Sequence, residues 1–343
     1  MASIRRAFLA LLVLSLAIAG VGCPCVRTVV NNSPDIRWFL FSNYGASKIC
    51  PEMQKRGVPL KMPQFGNASV GRFFPQQCSI QLQEQRSMIV TMYGTGYANM
   101  PMVRRVGFSV SMAIEYQPDF RMEENGLWVW GRFVRFTQQP DMRIIGVENP
   151  VVNMATKTPA GDVASIIGNG IVASEIGRGF TVVRSDDGDD FSIGHLDPPE
   201  KPKRQFQPGK DRVLLANDLS EIKPASRDYI GPLEVPSNGS ALFVRARVNS
   251  APLLFTIVDR NVGDNWRRTY ETAIQNGPPP GPIVLHGQMN PGDTNFSAPV
   301  PPGQYYLVVE NRAAAPVAPL GMPLPFPETI SYIQYGIEVG DKP

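Results

Sequence analysis

In the stretch Gly107–Tyr116, apolar and small or polar residues alternate without a break. Phe108, Val110, Met112, Ile114 and Tyr116 fall on one side, and Gly107, Ser109, Ser111, Ala113 and Glu115 on the other. A period of two is the repeat of a β-strand, so one face here must be covered while the other is built of small or polar groups. Leu127–Phe136 is apolar on both faces, with Trp128 and Trp130 on one and Leu127, Val129 and Phe133 on the other. A strand covered on both sides reads this way. Glu124-Asn125-Gly126 ahead of it is a turn signal. Further strands are expected at Ser79–Gln83, Met88–Tyr93, Arg143–Val147 and Phe180–Arg184, and helical patterns are scarce. The chain holds 33 prolines and 31 glycines, scattered without a triplet period, which suits turns between short strands and excludes collagen.

The expected class is all-β, with two β-rich domains behind a leader. The first folded unit starts at Ile36-Arg37-Trp38-Phe39-Leu40-Phe41 and is assigned 36–196, as a β-sandwich or barrel. Residues 197–227 open on a proline-rich, charged run, Asp197–Asp211, with little to bury, and read as a linker. The second unit, 228–343, carries the cleaner alternation. Its apolar sets are Leu242, Val244, Ala246 and Val248; Leu253, Phe255 and Ile257; Tyr305, Leu307 and Val309; and Ile333, Tyr335, Ile337 and Val339. Short strands separated by turns predict a β-sandwich. Asn276–Pro282 and Ala315–Pro327 interrupt it as proline-rich loops or edge cover. The stretch VPPGQYYLVVEN (Val300–Asn311), followed by SYIQYGIEVG (Ser331–Gly340), resembles the closing strands of small jelly-roll domains of the GOLD and pre-peptidase C-terminal kinds. That resemblance implies an accessory interaction module.

The N-terminus has the layout of an export signal. Arg5 and Arg6 precede an uncharged run from Ala7 to Gly22 that ends in small residues at Cys23. The run is short for a spanning helix, which needs about 20 apolar residues. Two cuts fit. Ala17-Ile18-Ala19 is an A-x-A site whose use would release a soluble secreted protein. Gly20-Val21-Gly22-Cys23 resembles a bacterial lipobox, and the whole chain resembles uncharacterised exported bacterial lipoproteins. The resemblance implies a leader of residues 1–22, a lipid on Cys23, a tether over 23–35, and membrane anchoring in the bacterial cell envelope. Export implies an oxidising compartment, so Cys50 and Cys78 are expected to form a disulfide. A loop of that length stabilises the fold by about 3.5 kcal/mol on the chain-entropy account. Cys25 is left over if Cys23 is acylated. Losing Arg5 and Arg6 with the leader lowers the net charge from +3 to +1, too little for a nucleic-acid surface.

No motif assembles a catalytic set, and no cofactor or metal is expected. Gly168, Gly170 and Ala173 form a G-x-G-x-x-A pattern, but Phe180–Arg184 arrives too soon to leave room for a crossover helix. Asp186-Asp187-Gly188-Asp189-Asp190 lacks the spacing of an EF-hand and reads as a hairpin turn, with calcium the rival reading. The chain has two histidines, His195 and His286. His195-Leu196-Asp197 could pair a base with an orienting acid, but nothing nominates a serine nucleophile. Trp128, Trp130, Phe133 and Phe136 read as core before a sugar or lipid site. Asp264-Asn265-Trp266-Arg267-Arg268 reads as a loop with an exposed tryptophan, and nominates Trp266, Arg267 and Arg268 as a contact site for an envelope protein. The leading expectation is a non-catalytic envelope lipoprotein that binds or scaffolds. A carrier of lipid or another hydrophobic ligand follows it, motivated by the one-sided strand Gly107–Tyr116, which suits a cup-shaped barrel around a cavity. An exported hydrolase comes last.

Overall fold

A computed structural model describes residues 24–55, 57–61, 68–100, 104–148, 173–185, 188–272, 276–312 and 329–342. The leader, Cys23, most of the glycine-rich G-x-G-x-x-A stretch and the second proline-rich stretch lie outside them. The fold is all-β, as the alternation predicts. Strands β2 (Ser69–Leu82), β3 (Met88–Met100), β4 (Arg104–Glu123) and β5 (Gly126–Val147) run as an antiparallel meander. The β4–β5 turn is tight, with Glu123 facing Gly126. β6 (Phe180–Ser185) and β7 (Gly188–Ile193) extend the sheet as a hairpin.

β8 (Arg212–Ile222) closes this sheet into a ring by two single parallel bridges, Gly188 to Leu214 on β7 and Ser69 to Ser220 on β2. Of the two architectures expected for the first unit, the barrel-like one is found. Lys61, at the end of β1 (Val58–Lys61), crosses the loose seam to Asp218 at 2.7 Å. Phe108, Val110, Met112, Ile114 and Tyr116 are all buried on the inner face, in the register the alternation requires. Their backs are small for a reason outside the strand. A Cβ on Gly107 or Gly146 would overlap the carbonyl oxygen of Glu271, where a helix end packs on the sheet.

The other edge of β8 pairs with β15 (Ser331–Asp341), then β10 (Ser240–Asn249) and β13 (Gly292–Ala298). A second sheet lies over these strands: β12 (Leu285–Met289), β11 (Leu253–Asp259), β14 (Gly303–Glu310) and β9 (Arg227–Val235). All four apolar sets named for the second unit, Val339 aside, meet in the sandwich core between the two layers.

Three expectations need correction. The tether over 23–35 is helical from Pro24, as α1 (Pro24–Asn32) and α2 (Pro34–Leu40). Ser33 accepts a hydrogen bond from the Ile36 amide and Pro34 opens the first turn, a capping signature overlooked in a short polar run. A π-helical turn, Phe41–Gly45, leads into α3 (Ala46–Gln54). These helices pack against the inner face of the ring through Phe41, Ala46, Ile49 and Met53, and the expected Cys50–Cys78 disulfide pins α3 to β2.

The linker over 197–227 contains β8, the strand common to ring and sandwich. Its proline-rich part is a fixed strap. Trp128 and Trp130 donate their indole N–H groups to the carbonyls of Glu200 (2.8 Å) and Leu196 (2.7 Å), and Arg204 donates to Asp190 at 2.8 Å. Backbone carbonyls need no apolar residue to be held, so composition hides this role. Lastly, the stretch around Trp266 is a helix. After the single-turn α4 (Ala173–Ile176) comes α5 (Arg260–Thr272), capped by Asp259, which accepts from the amides of Asn261 and Val262. Among the described residues no helix is long and apolar enough to cross a membrane.

Candidate functional site

The helices do not fill the ring. A cavity of ≈ 500 Å³ remains between α2–α3, the inner faces of β5 and β6, and the seam at β8 and β9. Its walls are chiefly aliphatic and aromatic. Phe41, Ile49 and Met53 come from the helices. Leu127, Val129, Phe180 and Val182 come from the ring, and Leu214, Ala216, Ile230 and Leu233 from the seam and the sandwich. The alternation in β5 explains this placing. Leu127 and Val129 point inward to the cavity, while Trp128 and Trp130 point outward under the strap and pack on Val183. The seam explains the space. β8 touches its ring neighbours near residues 214 and 220, and the stretch between them lines the cavity instead.

The mouth is marked by the exposed side chains among the lining. Tyr44 and Lys48 stand on the helical side, and Arg184, Phe191 and Lys203 on the side of the β6–β7 hairpin and strap. A smaller polar space of ≈ 270 Å³ adjoins it and shares Glu52, Arg184, Leu215 and Pro232 with it. Lys55, Glu234 and Gln304 complete that space.

Arg72 and Tyr335 line the cavity from the buried side, where the ring meets the sandwich. Arg72 donates through Nε and Nη2 to the two oxygens of Asp228, at 2.6 and 2.9 Å, and through Nη2 to Tyr335 Oη at 2.6 Å. Tyr97 and Ser220 each donate a hydroxyl to Asp228 at 2.7 Å. Burial by itself raises the Asp228 carboxyl, but the Arg72 guanidinium and the two hydroxyls of Ser220 and Tyr97 override it and hold the group below its usual range. Burial disfavours the Arg72 cation, and Asp228 reverses that and holds its pKa well above the usual value. The pair therefore stays ionised, and Arg72 with Tyr335 gives the cavity a polar patch on its buried side.

The residues nominated from sequence go elsewhere. Trp266 and Arg267 are buried, and Arg268 alone of the three faces outward. Trp266 donates to the Gly277 carbonyl at 3.0 Å and lies under Arg227 at 4.6 Å. Arg267 sits over Phe74 at 4.1 Å and pairs with Glu271. With Tyr97, Tyr229 and Tyr270 they weld ring to sandwich. Sequence reasoning took the stretch for an exposed loop because α5 is rich in charge. The signal that could have found it is the i, i+4, i+8 stripe of Val262, Trp266 and Tyr270.

His195 is exposed, with Nε2 2.9 Å from Asp197 and 3.4 Å from Arg132 Nη2, so an acid and a cation flank its ring. His286 is exposed on β12, beside Thr256 of β11. The acidic run spans the β6–β7 hairpin, with Ser185 facing Gly188, and Asp190 turns inward to Arg204. Asp186 and Asp187 lie outside the described residues. No cluster of metal-ligating side chains occurs among the described residues. Cys25 is exposed at the start of α1. Set against known proteins, the chain matches no family model and no curated protein.

Proposed function

We propose that this protein is a non-catalytic exported binding protein that carries a hydrophobic, acyl-bearing ligand in the cavity beneath its N-terminal helices. The observation that carries the proposal is the cavity itself. At ≈ 500 Å³ it falls in the range of about 300–1,000 Å³ typical of small-molecule sites, and its walls are mainly apolar. A well-packed interior leaves few voids larger than a water molecule, so a space of this size in a fold with a sealed second core suggests use. Each methylene taken from water into such a space contributes about 0.8 kcal/mol, enough for an acyl chain to bind tightly with few polar contacts.

The Cys23 anchor belongs to the same reading. A lipid on Cys23, which the lipobox-like end implies, would hold the carrier at a membrane from which such ligands come, and α1 begins directly after Cys23. A binding module for an envelope protein is the broader form of this proposal, in which the cavity would take an apolar side chain of the partner.

Native mass spectrometry of the full chain, purified without detergent exchange, tests the reading. A fraction carrying a bound lipid-sized mass, displaced by a fluorescent fatty acid, is the expected result. Bare protein that takes up no acyl probe would reject it. The intact mass of the same sample distinguishes an acylated Cys23 from an unmodified chain cut after Ala19.

A further inference from the structure

The two adjoining spaces differ in kind, and that difference narrows the ligand. We infer that they hold the two ends of one molecule: a single acyl chain in the apolar cavity and a zwitterionic head, phosphate plus ammonium, in the polar space beside it. The inference rests on the carrier reading and deepens it.

Size sets the chain count. At roughly 30 Å³ for a water-sized group, a cavity of ≈ 500 Å³ takes on the order of 16 methylenes, one chain rather than two. Charge sets the head. The polar space is walled by two cations, Lys55 and Arg184, two carboxylates, Glu52 and Glu234, and the amide of Gln304. Its formal charge is zero, with both signs present. Lys55 Nζ lies 3.1 Å from Glu52 Oε1 and 4.0 Å from Glu234 Oε2. The three side chains are 44%, 38% and 55% exposed, so these pairs contribute little and a ligand can open them. A head of one sign would face like charge on half of these groups. A phosphate against Lys55 and Arg184 with an ammonium against Glu52 and Glu234 sets each end of the head against the opposite charge. Arg184 and Glu52 also line the apolar cavity, so a head held there stays joined to a tail inside.

A simple fatty acid is the rival, because Lys48 and Lys203 on the rim of the apolar cavity could take a carboxylate. Three probes with the same palmitoyl chain decide: lysophosphatidylethanolamine, palmitate and monopalmitoylglycerol. Each is titrated below its micellar concentration into delipidated full-length protein, read by displacement of a fluorescent fatty acid. The expected result is at least tenfold tighter binding of the zwitterion than of the other two. Glu234→Gln and Lys55→Gln should each weaken the zwitterion three- to tenfold and leave monopalmitoylglycerol unchanged. Both positions are well exposed, so the variants should fold. Equal binding of all three probes, or tightest binding of palmitate, would overturn the zwitterionic head and leave the cavity reading standing. Failure of all three to bind would overturn the carrier reading itself.

Discussion

The ring and the sandwich are built from the same kind of strand and end with different interiors. In the sandwich two four-stranded layers face each other, and Val244, Ile257, Val309 and Ile337 are buried completely or nearly so. Layers at the usual spacing of about 10 Å are filled by their own side chains. The ring closes more loosely, and α2, the π-helical turn and α3 supply Trp38, Phe41, Ala46, Ile49 and Met53 to its interior as a filling. The filling is incomplete, and Ile49, Met53, Phe120 and Val182 stay half-buried around the remaining space. A sheet that closes on a facing sheet makes a core, and a sheet that closes on itself through two single bridges makes a container.

The largest test attacks the joint between the two. Asp228→Asn removes one partner of a buried ion pair and leaves Arg72 uncompensated, which should cost about 3–5 kcal/mol. Urea unfolding followed by tryptophan emission and by circular dichroism should shift together, because Asp228 lies on β9 of the sandwich and Arg72 on β2 of the ring. Separate transitions for ring and sandwich would break the view of one welded body. The pH dependence has a definite sign. The Asp228 carboxyl sits below its usual value in the fold. Its contribution is therefore complete above the unfolded value of about 3.9 and is lost as pH falls through the lower folded value. The variant should lack that acid-side loss.

The Cys50→Ser/Cys78→Ser variant comes next, at about 3.5 kcal/mol on the chain-entropy account. The loss should fall on the filling. Hydrogen exchange in α1–α3 should rise far more than in β10 and β15, and fluorescent fatty-acid binding should drop with it. An even rise across both regions would mean the helices are as integral as the sandwich core.

Ligand follows. An acyl probe at a hundred times its dissociation constant should stabilise the protein by about 2.7 kcal/mol, seen as a higher urea midpoint. Val182→Trp, which fills the cavity, should abolish that gain. The smallest effect is a matched pair. Val309→Ala in the sealed core should cost about 2 kcal/mol, from the lost methylenes and the cavity left behind. Val182→Ala, beside space that already exists, should cost about half as much or less. Equal losses would show that the ring interior is packed as tightly as the sandwich.

Much of the strand framework was legible. Alternation found the inner face of β4, the two faces of β5 and the four core strands of the sandwich, because burial on one side of a pleat forces a period of two. The disulfide was legible from compartment and count. The linker was misread, since β8 follows a proline-rich, charged run, and a strand gains its role from the strands it joins. The helix α5 was misread because buried arginines look like solvent-facing ones. Arg227 and Arg267 are buried only because Glu310, Glu271 and the rings of Trp266 and Phe74 arrive from elsewhere. The cavity had no signature in the segments that line it: its strands read as ordinary core and its strap as a linker, while Gly107–Tyr116, which suggested a cavity, does not line it.

By itself, the sequence determined that this chain pairs strands, which side of each strand turns inward, and which two cysteines join. The first two are local properties, written in spacing and in side-chain chemistry within a few residues, and the third follows from compartment and cysteine count. The tertiary structure alone decided that β8 would serve two sheets and that the ring would close on single bridges at Ser69 and Gly188. It also decided that the helices would fill the ring only in part. Each depends on the distance between surfaces that come from remote parts of the chain, and an unfilled volume belongs to no residue.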